Sequence, residues 1–242
     1  ATFDPLNFLH LSFLGRGEYP DDRYGSSVAG ADVDGDGWSD LVVGAPAFNT
    51  YEGKVYLYQG GPNANGWGME RKWTAVGGGS GELEFGKSLS SAGDLNGDGR
   101  ADLIIGAPGY DGALTNQGVA RVFYGAASFG LSASADWQAY GGVADLNFGE
   151  SVATAGDFDG AGYTEIFVGA ARYSSGRGQV RAWFGSATGL GDPLSPDWSK
   201  QGDAAGDGFG WSVASAGDVN GDGYADVIVG TPHFSSNRGK AF

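Results

Sequence analysis

A nine-residue acidic loop occurs four times in this chain of 242 residues. Each copy carries glycines at positions four and six and oxygen-bearing side chains at positions one, three and nine. Hard cations such as Ca²⁺ bind through clustered oxygen ligands, and glycine lets the backbone turn around the ion. The loops begin at Asp32, Asp94, Asp157 and Asp218, which are 62, 63 and 61 residues apart. This spacing predicts a repeat protein with one candidate calcium loop in each unit.

The candidate metal residues occupy positions one, three, five, seven and nine of the loops. The first and second loops provide Asp32, Asp34, Asp36, Trp38 and Asp40, and then Asp94, Asn96, Asp98, Arg100 and Asp102. The third and fourth provide Asp157, Asp159, Tyr163 and Glu165, and then Asp218, Asn220, Asp222, Tyr224 and Asp226. In the third loop Ala161 takes position five and supplies no side-chain ligand, so we expect that site to be the weakest.

Two other interpretations of the loops are considered. An EF-hand opens in the same way but requires a bidentate Glu at position twelve and a helix on each side. Position twelve is Val43, Ile105, Val168 or Val229, inside runs rich in β-formers, so each loop joins two strands. Asp-Gly pairs also form hairpin turns that need no metal. Loops one, two and four each place three or four oxygen ligands in register, which favours metal binding over a simple turn.

The rest of each unit follows a fixed order. An aromatic-glycine pair opens the unit, and a small-residue strand, the acidic loop and a strongly apolar strand follow. A third, amphipathic strand comes next, and a fourth carries Trp73, Trp137 or Trp198. The opening pairs are Tyr24-Gly25, Phe85-Gly86, Phe148-Gly149 and Phe209-Gly210. Four short antiparallel strands per unit predict an all-β fold, a β-propeller of four-stranded blades.

The order of aromatic-glycine pair, acidic loop and Gly-Ala-Pro resembles the FG-GAP repeat of integrin α propellers and secreted bacterial proteins. Gly44-Ala-Pro46 and Gly106-Ala-Pro108 match that ending, whereas Ala171 replaces the proline in the third unit. The resemblance implies that the loop acids are Ca²⁺ ligands on one face of the propeller. It also implies that protein or glycan partners bind loops on the opposite face, and that the protein is extracellular, either secreted or at the cell surface.

Composition limits the partners. The formal charge of −15 disfavours nucleic acid and anionic membranes, which would repel the chain. Of the 29 acidic residues, 13 lie in the four loops, so much of the acidity is explained by metal binding. Cysteine is absent, which excludes disulfides and thiolate metal sites. No segment is apolar enough to insert in a membrane.

Catalysis is disfavoured as well. The chain has two histidines, His10 and His233, and no Gly-x-Ser-x-Gly motif. Each histidine is interpreted as a lone structural or surface residue. We expect a non-catalytic, calcium-binding module for adhesion or protein–protein interaction. The alternatives are a glycan-binding propeller and an accessory domain of a larger secreted enzyme.

The repeat predicts one domain over 1–242, with units at roughly 14–76, 77–140, 141–201 and 202–242 and an N-terminal strand at 7–13. Four units are fewer than the seven blades usual in the family that the chain resembles. Either the chain is a fragment of a larger propeller, or the N-terminal strand completes the last blade. That completion would occur within the chain or between copies in a homo-oligomer. The loops 16–23, 77–84, 141–147 and 202–208 vary most and are the candidate recognition loops.

Overall fold

A computed structural model describes residues 15–63, 66–67, 69–78 and 83–242. The predicted strand at 7–13, which includes His10, lies outside the described residues. The chain forms four successive antiparallel sheets, which we call blades 1 to 4. The predicted all-β architecture of propeller blades is confirmed. Among the described residues, none of the helices has the length and apolar character needed to cross a bilayer.

Blade 1 contains strands β1 (Ser27–Ala31), β2 (Asp40–Ala45), β3 (Lys54–Gln59) and β6 (Glu70–Val76), paired in that order. A two-stranded hairpin, β4 (Pro62–Asn63) with β5 (Gly66–Trp67), is inserted between β3 and β6. Blade 2 pairs β7 (Ser88–Gly93), β8 (Asp102–Ala107), β9 (Val119–Phe123) and β10 (Trp137–Tyr140) in the same order.

Blade 3 repeats the pattern with β11 (Ser151–Gly156), β12 (Glu165–Ala170), β13 (Gln179–Phe184) and β14 (Trp198–Gln201). Blade 4 has three strands in the described part of the chain, β15 (Ser212–Gly217), β16 (Asp226–Thr231) and β17 (Lys240–Ala241). In the described part of the chain, the helical segments are single turns at Phe48–Tyr51, Tyr173–Gly176, Phe234–Asn237 and Ala127–Phe129.

Both faces of the second strand are apolar because each inner blade is covered on both sides. In blade 2, Leu103 and Ile105 pack against blade 1, while Ile104 between them packs against blade 3. Side chains alternate between the faces of a strand, so a continuous apolar run is what a strand buried on both faces requires. The first strands β1, β7, β11 and β15 are successive neighbours, as in the inner ring of a propeller.

A serine links each blade to the next. Ser27 Oγ donates a hydrogen bond of 2.6 Å to the carbonyl of Gly86, and Ser88 Oγ donates one of 2.7 Å to that of Gly149. Ser151 Oγ repeats the contact with Gly210 at 2.8 Å. The acceptor is always the glycine of the aromatic-glycine pair that opens the following blade. This pair therefore positions neighbouring blades against each other.

Candidate metal centres

All four acidic loops lie at the same edge of their blades because each joins the first strand to the second. Each loop is organised around the carboxylate at position one. In the first loop Asp32 accepts the N–H groups of Gly35 and Gly37, each at 2.9 Å. The first residues of the other loops, Asp94, Asp157 and Asp218, accept the corresponding pair of glycine N–H groups at 2.6 to 3.1 Å. The third loop keeps this geometry although it lacks a position-five oxygen.

The glycines at positions four and six adopt a backbone conformation that other residues rarely reach. In the first loop the φ angles are 76° at Gly35 and 90° at Gly37. In the third loop, Gly160 and Gly162 have φ of 79° and 88°. Positive φ is strained for residues that carry a Cβ atom. These glycines therefore allow the chain to wrap closely enough to bring positions one, three and nine together.

The acid at position nine is the most buried oxygen group of each of the first three loops. Asp40, Asp102 and Glu165 are at most 1% exposed. The N–H of the residue at position two donates to this carboxylate in every loop; for example, Leu95 donates to Asp102 Oδ2 at 2.8 Å. In the first two blades a glycine after the third strand supplies a second N–H, such as Gly125 to Asp102 Oδ1 at 2.8 Å.

Burial raises the pKa of these acids because a charged carboxylate loses its hydration in the loop interior. Desolvation raises the pKa of Asp40 to about 6, that of Asp102 to about 7 and that of Glu165 to about 7. Repulsion from the neighbouring loop carboxylates adds to each increase, whereas the backbone N–H donors oppose it. A cation among these groups would offset both the desolvation and the mutual repulsion.

Two loops bring three carboxylates close enough to share one ion. Asp32, Asp34 and Asp40 each place a carboxylate oxygen within 4.8 Å of the others, and so do Asp157, Asp159 and Glu165. Glu165 Oε1 is also buried without a hydrogen-bond partner. A buried carboxylate oxygen with no donor is costly unless a cation approaches it. This donor set, made only of hard oxygen atoms, fits Ca²⁺ better than a metal that prefers nitrogen or sulfur.

The other candidate positions differ between loops. At position three, Asn96 replaces a carboxylate, and its Oδ1 accepts the N–H of Asp98 at 3.0 Å. Position seven holds Trp38, Arg100, Tyr163 or Tyr224. Of these side chains, indole and guanidinium groups are donors only, so a ligand from this position would be the backbone carbonyl. Arg100 instead forms an ion pair with Asp98 at 3.3 Å.

Comparison with known proteins agrees with this arrangement. The FG-GAP repeat model matches residues 24–58, 85–123 and 209–242, each of which contains an acidic loop at the edge just described. The chain carries FG-GAP repeats. The third unit, which has Ala161 in its loop and Ala171 in place of proline, lies outside the matched ranges.

The chain is also homologous to integrin α subunits over most of its length. It is 35% identical to human integrin αIIb over 233 residues, covering 88% of this chain and 20% of that protein. It is 36% identical to Drosophila melanogaster integrin αPS2, covering 70% of this chain and 12% of the relative. Xenopus laevis integrin α4 is 33% identical over 67% of this chain and 16% of its own length. The chain thus spans a fifth or less of these relatives.

The described parts of the predicted recognition loops lie at the other edge of the blades, where each first strand begins and each second strand ends. In blade 1 the loop 16–23 and the turn after β2 enclose a cavity of about 380 Å³. Its lining consists of Tyr19, Pro20, Asp21, Asp22, Ala47, Asn49, Thr50 and Tyr51. Tyr19 and Tyr51 are exposed there, while Asp22 is buried and accepts the N–H of Tyr19 at 2.8 Å.

The sequence analysis did not find this cavity, because it depends on the left-handed turn at Asn49, Thr50 and Tyr51, where φ is 48°, 61° and 69°. It also did not predict the contacts between neighbouring acidic loops. The side chain of Arg100 lies over Gly35 of the first loop, and Tyr163 and Tyr224 lie over Gly97 and Gly160 in the same way. The recurrence of large side chains at position seven is the signal that could have indicated these contacts.

Proposed function

We propose that this chain is a non-catalytic, calcium-binding extracellular module that mediates adhesion or protein–protein interaction. The observation that carries the proposal is the fourfold repetition of one loop geometry, in which converging carboxylates occupy one edge of FG-GAP blades. The homology to integrin α subunits supports an adhesive role at the cell surface.

In this proposal the loop residues bind the ion and do no chemistry. Position one holds the loop closed through its backbone hydrogen bonds, and positions one, three, five and nine supply oxygen ligands. The ion removes the repulsion that the clustered acids feel without it. With ions bound, the edge of each blade that carries the acidic loop would be rigid. It would hold in place the strands whose opposite ends carry the recognition loops.

The expected difference in Ca²⁺ affinity between the four loops can be tested directly. Isothermal titration calorimetry with Ca²⁺ should resolve tighter sites and one weaker site. Ala161→Asp, which adds a position-five carboxylate to the third loop, should strengthen the weak site. Asp98→Ala, the mirror change in the second loop, should create a second weak site. An affinity profile unchanged by both substitutions would contradict the assignment of these positions as ligands.

Ligand binding is proposed for the edge opposite the metal loops, at the cavity beside Tyr19 and Tyr51. Exposed tyrosines give a ligand large contact area at low conformational cost. Cells should adhere to the immobilised protein in Ca²⁺ and detach in EDTA. Tyr51→Ala should reduce adhesion, whereas Leu194→Ala, which removes an exposed apolar side chain beyond β13, should not.

A glycan array separates the two ligand classes. Binding to a defined glycan that is lost in Tyr51→Ala would replace the protein-recognition proposal with the lectin-like alternative. Equal adhesion by the parent and Tyr51→Ala would place the ligand elsewhere. Failure of adhesion in both Ca²⁺ and EDTA would contradict the adhesive role while leaving the calorimetric test of the metal sites intact.

A further inference from the structure

Each acidic loop is hydrogen-bonded directly to the acidic loop of the next blade. The backbone N–H at position eight of one loop donates to the carbonyl at position one of the preceding loop. The three bonds are Ala101 to Asp32 at 2.9 Å, Thr164 to Asp94 at 3.3 Å and Ala225 to Asp157 at 3.0 Å. Because the carboxylate at position one organises its own loop, the following loop holds the residue on which that organisation depends.

Side chains at position seven make a second contact between neighbouring loops. A Cβ atom built on Gly97 of the second loop would lie 2.8 Å from a ring carbon of Tyr163 in the third loop. Tyr224 of the fourth loop lies over Gly160 in the same way. Both glycines occupy position four, and each donates its N–H to the position-one carboxylate at 2.7 Å. The ring therefore restrains the turn that closes the preceding loop.

A third link joins the buried position-nine acids of the first two loops. Gly125 and Ala126 follow β9, and the N–H of Gly125 donates to Asp102 Oδ1 at 2.8 Å. The N–H of Ala126 donates to the carbonyl of Val33 in the first loop at 3.0 Å. The N–H of Val33 in turn donates to Asp40 Oδ2 at 2.9 Å. Backbone hydrogen bonds thus connect the two buried acids through a single short segment.

The equivalent link is present between the second and third blades. Ser186, in the place of Ala126, donates its N–H to the carbonyl of Leu95 at 3.1 Å. The N–H of Leu95 donates to Asp102 Oδ2 at 2.8 Å. Asp102 is therefore linked toward the first loop through Oδ1 and toward the third blade through Oδ2.

We propose that neighbouring acidic loops bind Ca²⁺ cooperatively, so that an ion in one loop raises the affinity of the loops in contact with it. This inference rests on the calcium sites proposed above. Ordering a loop around an ion costs conformational entropy, and the cost is smaller for a loop that an ordered neighbour already holds. Coupling between two binding sites is reciprocal, so each loop of a pair raises the affinity of the other by the same factor.

Charge repulsion acts in the opposite direction. An ion in one loop repels an ion in the next, which weakens the second site. In Asp98→Ala the second loop loses its ion and one carboxylate, so it is more negative than the filled loop of the parent. Electrostatics alone would then strengthen binding in the first and third loops, whereas coupling through the contacts weakens it. The sign of the change distinguishes the two effects.

The first test follows each loop separately by NMR of ¹⁵N-glycine-labelled protein, with free Ca²⁺ set by a chelator buffer. The position-six glycine reports on its loop because its N–H donates to the position-one carboxylate; the reporters are Gly37, Gly99, Gly162 and Gly223. In Asp98→Ala, the midpoint Ca²⁺ concentrations for Gly37 and Gly162 should rise about fivefold or more. Gly223, whose loop is bonded to the third loop, should shift less.

Asp222→Ala is the matched control because it removes the same ligand from the fourth loop. It should raise the midpoint for Gly162 and leave that for Gly37 nearly unchanged. Midpoints for Gly37 and Gly162 that stay the same or fall in Asp98→Ala would overturn the coupling while leaving the calcium sites intact. Failure of all four reporter glycines to respond to Ca²⁺ would overturn the coupling and the calcium sites together.

The second test asks whether the contacts between loops carry the coupling. Tyr163→Ala removes the ring over Gly97, so the effect of Asp98→Ala on the midpoint for Gly162 should be smaller in this background. Tyr224→Ala removes the equivalent ring between the third and fourth loops and should leave that effect unchanged. An effect of Asp98→Ala that is equally large in both backgrounds would overturn the assignment of the coupling to these contacts.

Discussion

Substitution of Gly106 by alanine tests how tightly blades 2 and 3 are packed together. A Cβ atom at this position would lie 2.0 Å from the carbonyl oxygen of Gly149 in the next blade and 2.3 Å from Ser88 Oγ. Ordinary contact begins near 3.4 Å, so Gly106→Ala forces the two backbones apart by about 1.4 Å. The displacement also disrupts the 2.7 Å bond from Ser88 Oγ to Gly149.

The expected loss follows from these two effects. Overpacking costs about 1–3 kcal/mol, and the lost hydrogen bond adds about 1 kcal/mol, so the free energy of unfolding should fall by roughly 2–4 kcal/mol. For a domain of this size the melting temperature should fall by roughly 5–15 °C. Differential scanning calorimetry of dilute protein in saturating Ca²⁺ measures the change.

Gly230→Ala is the matched control. Gly230 has the same place in blade 4, but its Cβ atom would meet only the rotatable hydroxyl of Ser212 within 3.4 Å. The cost should stay below about 1 kcal/mol. Equal losses for Gly106→Ala and Gly230→Ala, or no loss for Gly106→Ala, would refute the account of the interface between blades.

Two further predictions concern pH and the core. The pKa values of Asp40, Asp102 and Glu165 are raised in the fold, so the calcium-free protein binds these protons more tightly than the unfolded chain does. Its melting temperature in EDTA should therefore fall from pH 5 to pH 8, and a rise over that range would contradict the burial of these acids. Trp183→Ala removes a fully buried ring and should cost about 3–5 kcal/mol by chemical denaturation, whereas Trp211→Ala at an exposed ring should cost less than about 1. Equal costs would show that Trp183 does not belong to the core.

The sequence predicted the features that depend on local chemistry. The loop glycines take the positive φ that their spacing indicated, and the runs at Val42, Ile104 and Phe167 form second strands buried on both faces. The tryptophans expected in the fourth strands lie there; Trp137, for example, lies in β10. These predictions succeeded because turn geometry and side-chain alternation are encoded within a few residues.

Features that depend on contacts between distant residues were not predicted. Burial raises the pKa of Asp102, and the loop after β9 contributes to that burial. The cavity beside Tyr51 requires a left-handed turn, and the residues that form it, such as Asn49 and Thr50, are not glycines. The exposure of Ile228, whose equivalents Val42 and Ile104 are buried, could be recognised only by comparing the blades in three dimensions. The ligands themselves stay a prediction, as does the expected weakness of the third loop.

The most direct test of the central claim is the melting temperature in Ca²⁺ compared with EDTA, with Mg²⁺ as the control cation. Each site should stabilise the fold by about 2.7 kcal/mol when free Ca²⁺ is about 100 times its dissociation constant. Several occupied loops should therefore raise the melting temperature by well over 10 °C, at roughly 2–4 °C per kcal/mol. Mg²⁺ should have a smaller effect because it retains its water and requires near-octahedral geometry. A melting temperature that is the same in Ca²⁺ and EDTA would contradict the assignment of the four acidic loops as calcium sites.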